Sequence, residues 1–235
     1  MTPTTAGATG ISNRRMTKPT THGGGSSLAA ARESLARRID FEAFLAKLAP
    51  KDRLNAERRV QVLEAEGDPG RAHLWRRLVC TMMTLAPHAA KFVGKQTVQF
   101  YVQDGRYRKQ VFAMEDLQDG HFTLYCPDVL EEVVAAGLVA PAPDAAQYMY
   151  RGAGSHYPLR IEQLDGDSIN PGSHFKDMTG WNRKALRVTL PPSAAEGQVE
   201  AAEMLCALAA QYFVPQTPPP ARASDAPVAR PGTDQ

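Results

Sequence analysis

The apolar pattern of this chain changes period between Pro87 and Thr97. Before that point Leu74, Leu78, Met82 and Leu85 recur at helical spacing, and Trp75 and Val79 widen the stripe. After it, Val98, Phe100 and Val102 alternate with Gln99, Tyr101 and Gln103, the period of a half-buried strand. A chain that is helical first and sheet-forming afterwards, with no regular strand–helix alternation, belongs to the α+β class rather than to a doubly wound fold. The expected architecture is an N-terminal helical segment followed by a mostly antiparallel sheet of about six strands with flanking helices.

Local signals place the elements. Ser26-Ser27 reads as a cap for a segment carrying Leu28, Ala31, Leu35 and Ile39. Asp40 recaps the chain before Phe41, Phe44, Leu45 and Leu48, and Pro50 suits the first turn of a helix over Lys51–Glu66. Gly67 ends that helix, Asp68-Pro69 opens the strongest one, and Pro87 closes it. Asp104-Gly105 is the preferred two-residue hairpin turn between Thr97–Gln103 and Arg106–Met114. That turn sets Val98 opposite Val111, Phe100 opposite Lys109 and Tyr101 opposite Arg108. Further strands are expected at His121–Cys126, Gln147–Arg151, Tyr157–Leu164 and Lys184–Leu190. Asp128 with Glu131, and Ser193 with Glu196, have capping-box spacing, and Gly137 sits where a C-terminal glycine belongs. The last helix carries Val199, Ala202, Leu205, Cys206, Ala209 and Phe213.

Of the 235 residues, 1–26 are rich in Thr, Gly and Ser and 214–235 in Pro and Ala. Neither end buries enough apolar surface to offset ordering entropy, so both read as disordered tails. The foldable part is a single α+β domain over 27–213, with a helical part at 27–92 and a sheet-containing part at 93–213. Met16 competes with Met1 as the start. Arg14-Arg15 is not followed by an apolar run, so no signal peptide is read, and no stretch of about 18 apolar residues suggests a membrane span. Cys80, Cys126 and Cys206 have no CxxC spacing and read as buried thiols of a reducing cytoplasm.

Formal charge is +2, but it is unevenly spread: residues 1–60 hold eleven Lys/Arg against five Asp/Glu, and residues 115–147 hold seven acids and no Lys or Arg. This bipolar pattern does not favour nucleic acid. There is no P-loop, no GxGxxG and no paired-histidine spacing, so neither a cofactor nor a metal is expected. Asp165, Asp167 and Asn170 open like a calcium loop, but Ile169 and Asn170 take positions where an EF-hand needs oxygen and glycine.

Two stretches carry candidate chemistry. The long polar stretch Leu164–Lys184 ends in Trp181, Asn182, Arg183 and Lys184. The polar face of the 97–112 hairpin offers Tyr101, Arg106 and Arg108. An aromatic among cations suits an anionic ligand, and these seven residues are the expected ligand-binding set of a soluble binding or interaction module. The partner would be an anionic small molecule or a protein. The alternative is a small hydrolase or transferase using His174, Lys176 and Asp177, types that supply acid–base chemistry. Limited proteolysis should trim the ends to a core of about 27–213 without loss of cooperative unfolding, because exposed polar tails make few buried contacts. Marked destabilisation on removing residues 1–26 would show instead that this segment docks.

Overall fold

The computed structural model describes residues 24–104, 107–117, 119–142, 147–151, 156–164 and 185–214. Four helices come first: α1 (Gly24–Ala36), α2 (Phe41–Ala46), α3 (Pro50–Ala65) and α4 (Pro69–Leu85). The strands β1 (Ala90–Val93), β2 (Thr97–Asp104), β3 (Tyr107–Asp116) and β4 (Phe122–Pro127) follow. After α5 (Leu130–Ala135) come β5 (Val139–Pro141), β6 (Gln147–Arg151), β7 (His156–Leu164) and β8 (Ala185–Leu190), and α6 (Glu196–Phe213) closes the order. All eight strands form one sheet in the order β1-β2-β3-β4-β8-β7-β6-β5. The fold is α+β: two antiparallel meanders meet where β4 pairs β8. No described helix is long and apolar enough to cross a membrane.

Among the described residues the sheet has eight strands, where about six were expected. The two unforeseen ones, β1 and β5, are the outermost. Both are short, and β5 ends in proline, which suits an edge because it has no N–H to give to a neighbour. The free side of β1 is capped from α3. Asp52 Oδ1 accepts from Val93 N at 2.8 Å, and Asn55 Nδ2 donates to Val93 O at 2.6 Å. Such side-chain capping blunts an edge that would otherwise template another strand.

Local caps account for most helix ends. Asp40 Oδ1 accepts from Ala43 N at 2.7 Å, and Asp68 Oδ1 from Arg71 N at 3.1 Å. Gly137, at φ 69°, closes α5 with bonds from its N–H to Val134 O (2.9 Å) and from Leu138 N to Val133 O (3.0 Å). Three expected caps differ. Helix α1 begins at Gly24, ahead of the serine pair. Asp128 stands just before α5 and accepts from Leu130 N at 2.9 Å, so it shapes a turn rather than a capping box. Helix α6 starts at Glu196 behind Ala195, whose N–H donates to Gln198 Oε1 at 2.9 Å. Glu196 is thereby free to reach Arg77 on α4.

The helices share one apolar core with one face of the sheet. Trp75 on α4 takes Phe41 and Phe44 edge-on, at centroid distances of 6.1 and 6.4 Å. Gly197 lets α6 lie directly on β7, since a Cβ there would stand 2.1 Å from the Tyr157 ring.

Within that core, Glu203 of α6 is buried and binds three groups. Arg38 Nη1 donates to Oε1 at 2.6 Å, Thr81 Oγ1 to Oε1 at 2.6 Å, and Arg77 Nη2 to Oε2 at 2.7 Å. Hydrogen bonding to Glu203 outweighs burial and raises the Arg77 pKa above its ordinary value, with Glu196 adding to the effect. Replacing Glu203 by Leu leaves Thr81 without its acceptor and Arg77 with Glu196 alone. The expected cost is about 3–5 kcal/mol, read from the urea unfolding midpoint. A loss below about 1 kcal/mol would show that the clamp does not hold the helices.

Candidate functional site

Strand pairing assigns the residues of the second sheet face, because directly opposed residues of an antiparallel pair point the same way. Successive pairs across the sheet give one row: Phe92, Gln99, Ala113, Tyr125, Arg187 and Glu162. The buried residues of α2 to α6 belong to the core beneath the other face. On this face Ala113, Tyr125 and Ala185 form a separate small cluster with Leu164 against it. Among the described residues, no helix packs on this second face.

The row is polar and largely satisfied. Tyr125 is buried, and its hydroxyl donates to Glu115 Oε2 at 3.0 Å. Burial and the neighbouring Glu115 carboxylate raise the Tyr125 pKa, so the hydroxyl keeps its proton. Glu162 accepts from Arg160 Nη2 at 2.7 Å on one oxygen and from Arg187 Nε at 2.5 Å on the other. Burial pushes the Glu162 pKa upward, but the two guanidiniums outweigh it and the carboxyl is held below its usual range. Tyr101 Oη donates to Gln99 Oε1 at 2.9 Å. Gln99 Nε2 is buried with no acceptor.

The hairpin differs from its sequence reading. Asp104 pairs with Tyr107, so Asp104 belongs to strand β2 and is not a turn residue, against the expected Asp104-Gly105 turn. Pairing then shifts between Phe100 and Tyr101: Phe100 faces Phe112, and Tyr101 faces Gln110. Val111 is the extra residue of this bulge, which reverses the strand's phase and brings Gln110 beside Tyr101. Arg108 lies opposite Gln103, so the expected Tyr101–Arg108 pair does not form. Of the other candidates, Arg106, His174, Lys176, Asp177, Trp181, Asn182, Arg183 and Lys184 lie outside the described residues, as do Asp165, Asp167 and Asn170.

Topology nevertheless brings the two candidate stretches to one end of the sheet. Leu164 pairs Ala185, and Ala185 pairs Pro127, so the 165–184 stretch is rooted at the end of β7 and the start of β8. Strand β3 enters from that same end, and its pairing with β4 covers only Ala113–Asp116. Residues 107–110 of β3 with 101–104 of β2 therefore form an arm that runs past Pro127 by about 13 Å, at about 3.3 Å per residue. Two strand spacings, about 10 Å, separate β3 from β8.

Little of the described chain suits covalent chemistry. Cys80, Cys126 and Cys206 are buried; burial pushes the Cys80 thiol up to about 12, and the Cys126 thiol is raised by its Cys206 neighbour and by burial, which disfavours the thiolate at both. No group of three His, Cys, Asp or Glu among the described residues gathers to hold a metal ion. The polar row itself was missed by sequence reading. Its signal was the alternation of Arg160 with Glu162 and of Arg187 with Thr189 on the outward positions of two strands.

Comparisons of this chain with protein-family models, with curated proteins and with solved structures gave no match.

Because its folded pKa is lowered, Glu162 contributes stability above the unfolded carboxylate value, about 4.3, and loses it as pH falls through the folded value. Wild type should therefore exceed Glu162→Gln in stability at pH 7, and the gap should narrow below about pH 4. Urea unfolding across that range checks it; a gap independent of pH would refute the ionic origin.

Proposed function

We propose that this protein is a soluble, cytoplasmic binding module that takes an anionic ligand at the hairpin end of its second sheet face. One observation carries the reading: two cation-bearing stretches of the sequence, remote from each other in the chain, are rooted at the same end of one sheet. In sequence the hairpin carries Tyr101, Arg106 and Arg108, and the stretch before β8 carries Trp181, Asn182, Arg183 and Lys184.

Charge supports the location. Farther along the row, Arg160 and Arg187 both bind Glu162, and Glu115 accepts from Tyr125. These cations are already neutralised, so an anion gains little there. On the arm, residues 104–110 hold Arg106, Arg108 and Lys109 against Asp104 alone. A guanidinium pair beside an aromatic ring can hold a phosphate or carboxylate by charge-assisted hydrogen bonds. The acids between Glu115 and Asp144 oppose a long polyanion, which favours a small anion or an acidic protein segment over nucleic acid.

The test is Arg106→Ala combined with Arg108→Ala, titrated with inorganic pyrophosphate at several salt concentrations. Binding should weaken and its salt slope should fall, because each lost contact releases fewer counterions. Folding stability should change by less than about 1 kcal/mol, the range of exposed charges. Absence of salt-dependent binding by the wild-type protein would overturn the reading.

A further inference from the structure

Lys91 is a cation on the core face of the sheet. In β1 it pairs Phe100, which pairs Phe112, so its side chain points to the face that the helices cover. Val93, two residues further along β1, points the same way and is fully buried. Lys91 is half-buried at the rim of that core, where its stem lies on apolar surface but its ammonium needs partners. Its Nζ turns back and donates to Pro87 O at 2.7 Å.

Among the described residues no carboxylate pairs with Lys91. The charge that bears on it is another cation, Lys47, the residue that ends α2. Other cations of the helical layer differ: Arg38, Arg59, Arg71, Arg76 and Arg77 each bind an acid. Burial first, and then the Lys47 charge, lower the Lys91 pKa. A half-buried lysine beside a second cation is the arrangement that leaves an amine neutral and nucleophilic.

The same surroundings select the electrophile. A rim position half covered by the core admits a small, uncharged reagent most readily. Lys47 repels an ammonium but attracts an anion, so a negatively charged product turns a repulsion into an ion pair. Carbon dioxide meets both conditions. The amine lone pair forms an N–C bond, one C–O π bond opens onto oxygen, and an N–H proton passes to solvent. The carbamate keeps one N–H for Pro87 O, and its new carboxylate lies beside the Lys47 ammonium. Acyl phosphates and thioesters are bulkier, and their neutral amide product gives Lys47 nothing to bind.

We propose that Lys91 is a carbon dioxide-binding residue, forming a reversible carbamate that pairs with Lys47 while its N–H stays on Pro87 O. The site is on the opposite sheet face from the anionic ligand proposed above, and neither depends on the other.

Trapping with an alkylating oxonium reagent under isotopically labelled carbon dioxide tests this in the full-length protein at neutral pH. Alkylation converts a carbamate into a stable ester, which peptide mass spectrometry assigns to one lysine. Lys91 should carry several times the label found on the exposed Lys47, Lys51 or Lys95. In Lys47→Glu the label on Lys91 should fall several-fold, because that change both holds the ammonium and repels the carbamate. Lys47 is exposed, so the substitution keeps the fold. Label on Lys91 no greater than on the exposed lysines overturns the proposal. Label on Lys91 that is unchanged in Lys47→Glu overturns the pairing.

Discussion

The carboxylate of Glu203 joins three parts of the chain that are far apart in sequence. Arg38 follows α1, Arg77 and Thr81 belong to α4, and Glu203 itself is the part of α6 that faces them. A buried carboxylate is tolerated only when its lone pairs are taken, and the guanidiniums and the hydroxyl take them. The arrangement is directional where apolar packing is not. It sets how α4 and α6 lie relative to each other, and α6 in turn lies across β3, β4, β6, β7 and β8. This ionic cluster thus gives the packing of α4 against α6 a fixed direction.

A second buried cluster works at the other side of the helical layer. Asp116, at the end of β3, accepts from Arg71 Nη2 at 2.8 Å and from Arg59. Burial lowers the Arg59 pKa, and the neighbouring Arg71 charge adds to it, while Glu66 opposes. Arg71 also lies 5.7 Å from the Phe122 ring centroid, a cation–π contact that ties α4 to the start of β4. With Glu203 these contacts grip the helices at two points, which leaves the second face of the sheet to other uses.

That second face has a graded character. Toward β7 it is a closed network in which Arg160, Arg187, Glu162, Tyr125 and Glu115 answer one another's charges and donors. Toward β1 it changes to amides and aromatic rings, with the spare donor of Gln99. Past Pro127 the sheet narrows to a two-stranded arm whose sequence is cationic. A ligand that meets this face finds neutralised charge toward β7, and past Pro127 a sequence with net positive charge. Only the second has much to gain from an anion, and this is why the anionic ligand is proposed there.

Much of the fold was legible locally. Asp40, Asp68, Pro50 and Gly137 act on bonds within a few residues of themselves, and the structure has them in those roles. The alternation in β8 is likewise a local record of one buried face, whereas β4 is buried at every position. What sequence could not decide depended on partners distant in the chain. The register of the hairpin turned on a bulge at Val111, which matters only because β3 must face both β2 and the core. The strands β1 and β5 exist because a sheet was already there to extend, for their own composition is weak. Glu203 and Asp116 look in sequence like any acids; pairing with arginines from other helices alone makes their burial affordable. Local propensity and period decided which segments are helix or strand, because those energies come from near neighbours. Tertiary structure decided register, edges and buried charge, because a side chain's solvation and its partner are properties of the packed whole.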